Sequence, residues 1–237
     1  MPDAARGPSL VSCVIVAYNS AEWVEEAIRS VLAQTYRPIE VVVADDGSQD
    51  ATLELAAAFG EPVRVVTQET RGPAATRNLG LREARGELIA FIDADDLWHT
   101  EKLARQTARL QARPELQASV THVRNFWEQG HGELERHYRD HPRMQPVPGY
   151  VTTTLLARRS AFDSVGDLDT GLWFGDSMDW FVRARELGVE VELMPDVLTF
   201  HRFHADNLSR RRSRASEDEF LGLLKASLDR RRGRSAP

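Results

Sequence analysis

The chain has 237 residues, 42% of them hydrophobic and 28% charged, with a formal net charge of −6. That length carries one large α/β domain with a real core or two small ones, and the composition excludes wholesale disorder. The acidic balance argues against a nucleic-acid binder, and no apolar run approaches a membrane span or a signal core, so a soluble, cytoplasmic protein is expected.

Residues 12–17 (SCVIVA) are an apolar, β-branched run that ends at Tyr18-Asn19-Ser20, the pattern of a buried strand. Cys13 lies within it. As the sole cysteine it forms no internal disulfide, suits a reducing compartment and is most simply a small core residue. Val24, Ala27, Ile28, Val31 and Leu32 then recur at three- and four-residue spacing, which predicts a helix. Asn19 or Ser20 can cap it, and Glu22 falls in the first turn, where the helix dipole favours an anion. IEVVVADDGS repeats the scheme, a second buried strand halted by carboxylates and glycine. A helix over about 50–59 stopped by Gly60, a strand at 63–67, a helix at 74–85 closed by Gly86 and a strand at 88–92 follow. The last strand runs into FIDADDLW, where Asp93, Asp95 and Asp96 crowd into four positions. Carboxylates that close repel, so water must screen them or a positive charge must sit between them.

Strand–helix–strand alternation with short connections implies parallel strands joined by right-handed crossovers. All carboxyl ends then lie on one sheet edge, where ligands bind. Tyr18, the pair Asp45-Asp46 and the cluster Asp93-Asp95-Asp96 therefore converge on one cleft, although some 75 positions of sequence separate them. No GxGxxG follows the first strand and no GxxxxGK[ST] loop is present, which removes the dinucleotide fold and the P-loop.

Residues 100–112 have a helical pattern and 118–126 alternate like a strand. From 127 to 149 the chain is polar, with His131, His137, His141 and three prolines, and is expected to be an excursion or lid with solvated histidines. A strand near 151–157, a short helix at 159–165, a helix at 176–187 stopped by Gly188, strands at 189–194 and 197–202 and an amphipathic helix at 216–231 complete the expectation. Phe220, Leu221, Leu224 and Leu228 would make the face by which that last helix docks. One compact domain is expected, with a first half at about 10–112 and a second at about 113–210.

Hard oxygen ligands at a strand end, two of them one residue apart, can hold Mg²⁺ or Mn²⁺ and leave positions open for phosphate oxygens. A solvated Asx-type turn is the alternative for an isolated DxD, but the buried strand before it and the second pair at Asp45-Asp46 weigh against that. Asp46 is suited to accept a hydrogen bond from a base N–H, and Tyr18 to stack on the base.

The segments VSCVIVAYNSAEWVEEAIRSVLAQTY, IEVVVADDGSQDAT, RGPAATRNLGLREARGELIAFIDADDLW and GLWFGDSMDWFVRARELG together resemble the family 2 glycosyltransferases of the GT-A fold. They cover most of residues 11–188 in that family's order. The resemblance implies an α/β, Rossmann-like GT-A domain with a mainly parallel central sheet, and transfer from a nucleotide-diphospho-sugar, a UDP-sugar above all, with inversion. It implies a nucleotide pocket from Val16, Tyr18, Asp46, Arg71 and Arg77, with the DxD on Asp93 and Asp95. Asp95 would be the direct metal ligand and Asp96 would sit beside it. Arg77 can instead anchor its helix to the acidic edge. The segment TFHRFHADNLS resembles the family's late RxHxxNxS, which implies that His204 touches diphosphate or metal; His201 precedes it.

The sequence departs from the family at two places. Valine stands at Val16 where the family has proline, and Ser177 stands where the family carries its catalytic base. Serine is no general base without a partner, so the base falls to Asp176, or else to Asp179 three residues on, unless these carboxylates only cap the helix. A non-catalytic nucleotide-sugar-binding relative is therefore the second reading. A nucleotidylyltransferase is a remote third, since YNSAEWVEE offers no triphosphate loop. Trp98, Trp127, Trp173 and Trp180 could stack on sugars or fill the core. The arginine clusters about the last helix are a solvated end or a peripheral contact with anionic lipid, nucleic acid or an acidic partner, no nucleic-acid role being expected overall. The acceptor stays open among a small molecule, a peptide and a lipid-linked glycan.

Overall fold

The structure, a computed structural model, describes residues 7–127, 144–204, 207 and 214–234. The first half alternates as expected: β1 (Val11–Ala17), α1 (Val24–Leu32), β2 (Ile39–Asp45), α2 (Thr52–Ala57), β3 (Val63–Thr67), α3 (Pro73–Glu83) and β4 (Leu88–Asp93). Then come β5 (Leu97–Trp98), α4 (Lys102–Ala112), β6 (Ala118–Trp127), β7 (Val147–Pro148), β8 (Leu156–Arg158), α5 (Arg159–Val165), α6 (Asp176–Glu186), β9 (Val191–Phe203) and α7 (Arg214–Arg234). All strands join one sheet in the order β3-β2-β1-β4-β8-β6-β9-β5, with β7 on β6. β3, β2, β1 and β4 run parallel; β8 is antiparallel to both its neighbours, β6 and β9 are parallel to each other, and β5 is antiparallel to β9.

Both faces of the parallel half are covered, so β1, β2 and β4 are apolar and buried nearly throughout instead of alternating. Along β1, Val11, Cys13, Ile15 and Ala17 face α1, α2 and α4, whereas Val14 faces α3, α5 and α6. α3 lies so close to β1 that a Cβ on Gly80 would fall 2.2 Å from Val14 Cγ1, so that position tolerates only glycine. Chain order reverses between β1 and β4, and this is where a parallel sheet opens a crevice at its carboxyl edge. In that edge Val16 pairs with Ala44 on one side and Asp93 on the other.

Several expectations are corrected. Neither Asn19 nor Ser20 caps α1 through its side chain: the Ser20 carbonyl accepts from the Trp23 and Val24 amides, and Glu25 and Glu26, not Glu22, occupy the first turn. The strand expected at 151–157 is shortened to Leu156–Arg158 behind a 3-10 turn at Thr152–Thr154, because the Thr154 hydroxyl bonds back to the carbonyls of Gly149 and Val151. The two late strands are one, since β9 absorbs Met194-Pro195-Asp196 as a bulge against β6. Phe220, Leu221, Leu224 and Leu228 do not dock: they are 45–62% exposed, and α7 meets the domain through its other side. His131, His137 and His141 lie outside the described residues. Among the described residues, no helix is long and apolar enough to cross a membrane.

Lys102, the first residue of α4, is fully buried, its ammonium 4.3 Å from the Trp98 ring and 2.8 Å from Gln106 Oε1. Burial lowers its pKa from 10.5 to about 7. Charging it therefore opposes folding, fully below pH 7, and the penalty fades as pH rises towards 10.5. Lys102→Met should raise stability by roughly 1–3 kcal/mol at pH 6 and by progressively less above pH 8, measured by urea unfolding across pH.

Candidate active site

Asp93 ends β4, and Asp95 and Asp96 follow in the turn to β5, closed by the Asp96 amide donating to the Asp93 carbonyl at 3.0 Å. One oxygen from each of the three carboxylates lies within 4.8 Å of the others. Positive groups flank the cluster on two sides. Arg77, buried on α3, donates to Asp93 Oδ1 at 2.6 Å and to Asp176 Oδ2 at 2.8 Å. His201 on β9 bonds Asp96 Oδ1 at 2.8 Å, and the Arg202 amide donates to the same oxygen at 3.2 Å. His204 Nε2 lies 2.9 Å from Asp95 Oδ2, and Asn207 Nδ2 donates to that oxygen at 3.3 Å.

The electrostatics follow from this packing. Burial pushes Asp93 up to about 6 against the pull of Arg77, with Asp96 and Asp95 adding repulsion. Burial also raises Asp96, overcoming His201. Asp95 resists burial because the His204 hydrogen bond and the charge of His201 hold it below the ordinary carboxylate value. Burial alone would lower His201, but the Asp96 carboxylate, then Asp95 and Asp93, hold it up at about 9, so it is protonated at neutral pH. Arg77 and His201 stand against Asp93, Asp95, Asp96 and Asp176, while Arg202 is spent on the Asp95 carbonyl and Glu26; among the described residues Asp96 Oδ2 is buried with no hydrogen-bond partner. Hard oxygens, one of them unsatisfied, fit a small divalent cation.

The nucleotide residues named from sequence divide. Val16 lies beside Asp93, and Tyr18 stands half exposed at the end of β1. Asp46 is engaged by the chain itself: Oδ1 accepts from Gln68 Nε2 at 2.8 Å and the Arg71 amide at 2.9 Å, Oδ2 from the Gly72 amide at 2.8 Å. It thus shapes the 68–72 turn and leaves the Arg71 side chain exposed at the edge. Gly72 has φ of 91°, and a Cβ there would come 3.2 Å from Trp173 Cε2, so the turn needs glycine twice over. Asp45 is buried and spent on the Gly47 and Ser48 amides, both at 2.9 Å.

A cavity of about 320 Å³ joins the two halves, lined by Arg77, Asp93, Asp95, Asp96, Asp176 and Trp173 among others. Asp176 opens α6 with Oδ2 on Arg77, and among the described residues Oδ1 has no hydrogen-bond partner. Asp179 does not line the cavity; Arg183 holds its Oδ2 at 2.6 Å. Ser177 lines it and meets Thr152 Oγ1 at 3.2 Å. Of the tryptophans, Trp98 and Trp180 are core residues, Trp127 packs tilted against Phe203, and Trp173 lines the cavity half exposed. Thr152, Asn125 and Gln68 carried no sequence signal: each is an ordinary residue placed by tertiary contact.

Comparison with known proteins matches residues 12–166 to the description "Glycosyl transferase family 2". Similar curated proteins include the succinoglycan biosynthesis protein ExoO of Rhizobium meliloti, 45% identical over 104 residues, which are 43% of this chain and 30% of that protein. Glycosyltransferase AglE of Haloferax volcanii is 29% identical over 203 residues, 81% of this chain and 66% of AglE. An S. aureus TarS structure in complex with UDP-GlcNAc superposes with a TM-score of 0.69 at 19% identity, over 92% of this chain and 65% of that one. The mannosyltransferase PcManGT from Pyrobaculum calidifontis, in complex with GDP-Man and Mn²⁺, gives 0.65 at 23%, over 85% and 59%. The chain thus spans only part of the length of these relatives, as little as 14% for an uncharacterized glycosyltransferase of Rickettsia bellii.

Proposed function

The chain belongs to glycosyl transferase family 2, and from that premise we propose an inverting, metal-dependent glycosyltransferase that moves a sugar from a nucleotide-diphospho-sugar, a UDP-sugar first, to an acceptor nucleophile. The observation that carries the reading is the cavity shared by Asp93, Asp95, Asp96 and Asp176, with one buried carboxylate oxygen unsatisfied among the described residues. The donors in the TarS and PcManGT complexes support the ligand class.

In this reading residues 10–112 form the donor half and 113–210 the acceptor half. Tyr18 stacks on the base, while Asp46 and the turn it shapes, with Val16 and Arg71, border the nucleotide. Asp95, Asp93 and Asp96 hold Mn²⁺ or Mg²⁺, which when bound neutralises charge on the departing diphosphate. His204 acts through its hydrogen bond to Asp95, orienting that carboxylate. Asp176 Oδ1 takes the acceptor proton as the nucleophile attacks the anomeric carbon on the face opposite the leaving group, while Arg77 fixes the other oxygen. Asp176 is preferred over Asp179 because only Asp176 borders the cavity.

A non-catalytic binder is the second reading, favoured by Ser177 and by the hold of Arg77 on Asp176. It predicts nucleotide-sugar binding without transfer or donor hydrolysis.

The test is a panel of UDP- and GDP-sugars, with Mn²⁺ or with EDTA, read by thermal shift and by donor turnover. One donor should stabilise the wild type in Mn²⁺ only, and Asp95→Ala should abolish that shift; a shift unaffected by the substitution would remove the metal from the reading. The shift should also grow with pH. A carboxyl raised to about 6 favours the folded state while protonated and loses that contribution as pH rises from 3.8 through 6. A cation replaces the proton there, so its stabilisation should be larger at pH 8 than at pH 5.

A further inference from the structure

Among the described residues, α7 touches the domain along one side, and that side falls on the loop that lines the cavity. Glu219 accepts from the Trp173 amide at 3.1 and 3.2 Å through its two oxygens, and from the Phe174 amide at 2.9 Å through Oε2. One turn on, Leu223 packs against Gly175, where an added Cβ would come within 2.6 Å of Leu223 Cδ1. Another turn on, Ser227 Oγ donates to Glu186 Oε1 at 2.6 Å and Arg230 Nε to Glu186 Oε2 at 2.7 Å, in the last turn of α6. Positions 219, 223, 227 and 230 share one helix face, so α7 ties the loop before α6 to the end of α6.

The Trp173 and Phe174 amides lie just ahead of the first turn of α6. Amide donors there have no helical partner, and the positive end of the helix dipole favours an anion. Glu219 meets both needs from 45 residues away. Trp173 in turn lies against Gly72 on the donor side, its side of the cavity 46% exposed as a residue.

We infer that Glu219 is a positioning residue for sugar transfer: it fixes the Trp173-Phe174 turn, and with it the aromatic wall of the cavity and the start of α6 at Asp176. α7 is then part of the site's scaffold and not an appended tail. Trp173, amphipathic and held in place, offers its indole face to the apolar face of a sugar ring. The role in transfer rests on the glycosyltransferase reading above, whereas the hold on the turn does not.

The full-length chain is measured as wild type, Glu219→Ala, Glu219→Gln and Leu221→Ser, the last altering the exposed side of α7. Hydrogen–deuterium exchange is followed over residues 170–178, and turnover is measured with the nucleotide sugar that stabilises the wild type. Glu219→Ala should speed exchange in that segment about tenfold or more and leave the rest of the chain unchanged. It should also lower turnover severalfold at saturating donor while donor KM stays within about twofold of wild type. Glu219→Gln, which keeps one acceptor oxygen, should recover much of both effects, and Leu221→Ser should show neither. Unchanged exchange at 170–178 overturns the inference, as does loosening spread over the whole chain with a matching fall in Tm. Locally faster exchange with unchanged turnover overturns the role in transfer. A wild type that binds no nucleotide sugar overturns the transferase reading instead, and the exchange result still decides whether Glu219 holds the turn.

Discussion

Asp176→Asn is expected to lower sugar transfer by about 10²–10⁴-fold while leaving nucleotide-sugar binding intact. Asparagine keeps the size of the side chain and an oxygen for Arg77, which sits 2.8 Å away in the wild type, but it takes no proton. Of the groups proposed to border the donor, Arg77 alone contacts Asp176 among the described residues, and asparagine keeps an acceptor for it, so a donor-induced thermal shift should survive. Transfer rates and that shift, measured on the same preparation, separate the two effects. Full activity in the variant would remove Asp176 as the base. Asp179→Asn is the contrast: Asp179 is buried, bound by Arg183 and 4.0 Å from Arg230, and its loss should lower stability more than rate.

Arg77→Met should cost about 3–5 kcal/mol of stability, because it leaves two largely desolvated carboxylates without their shared cation. Arg77 is buried and stays charged against that burial because Asp93 and Asp176 both face it. Methionine fills part of the volume but offers no donor, so Asp93, already raised to about 6, loses its nearest positive charge. Urea unfolding in EDTA should show the full loss. Added Mn²⁺ should restore part of it, since a cation at the acidic cluster compensates Asp93 but not Asp176. A loss equal in EDTA and Mn²⁺ would mean that the cluster holds no cation. A loss below about 1 kcal/mol would mean that the ion pairs are solvated and the site more open than its packing implies.

The parallel half of the fold was legible because its signals are local. β1, β2 and β4 are apolar runs stopped by Tyr18, Asp45 and Asp93, and any parallel sheet brings such stops to one edge. The second half was less so. β8 shrinks because Thr154 finds backbone acceptors, and β9 continues through a proline because a bulge needs no ladder bond from it; neither choice is written in periodicity. α7 was placed, but its docking face was misassigned. Apolar count favoured Phe220, Leu221, Leu224 and Leu228, while the contacts that decide come from Glu219, Leu223, Ser227 and Arg230, which are mostly polar. The acidic cluster announced a missing positive charge, yet Arg77 and His201, which supply part of it, lie 16 and 105 residues from the carboxylates they bond.

The bulge in β9 has a consequence of parity. Between Val120 and Val123, β6 takes three steps, while β9 takes six from Leu193 to Thr199. The surplus is odd, and in a strand each step turns the side chain to the opposite face. Had β9 matched β6 residue for residue, or carried an even surplus, His201 would fall an odd number of places along β6 from Asn125 and point to the other side of the sheet, away from Asp96. The charge balance of the acidic cluster is in this sense set by counting, three residues gained between Leu193 and Thr199, with Pro195 about twenty ångströms of strand from His201.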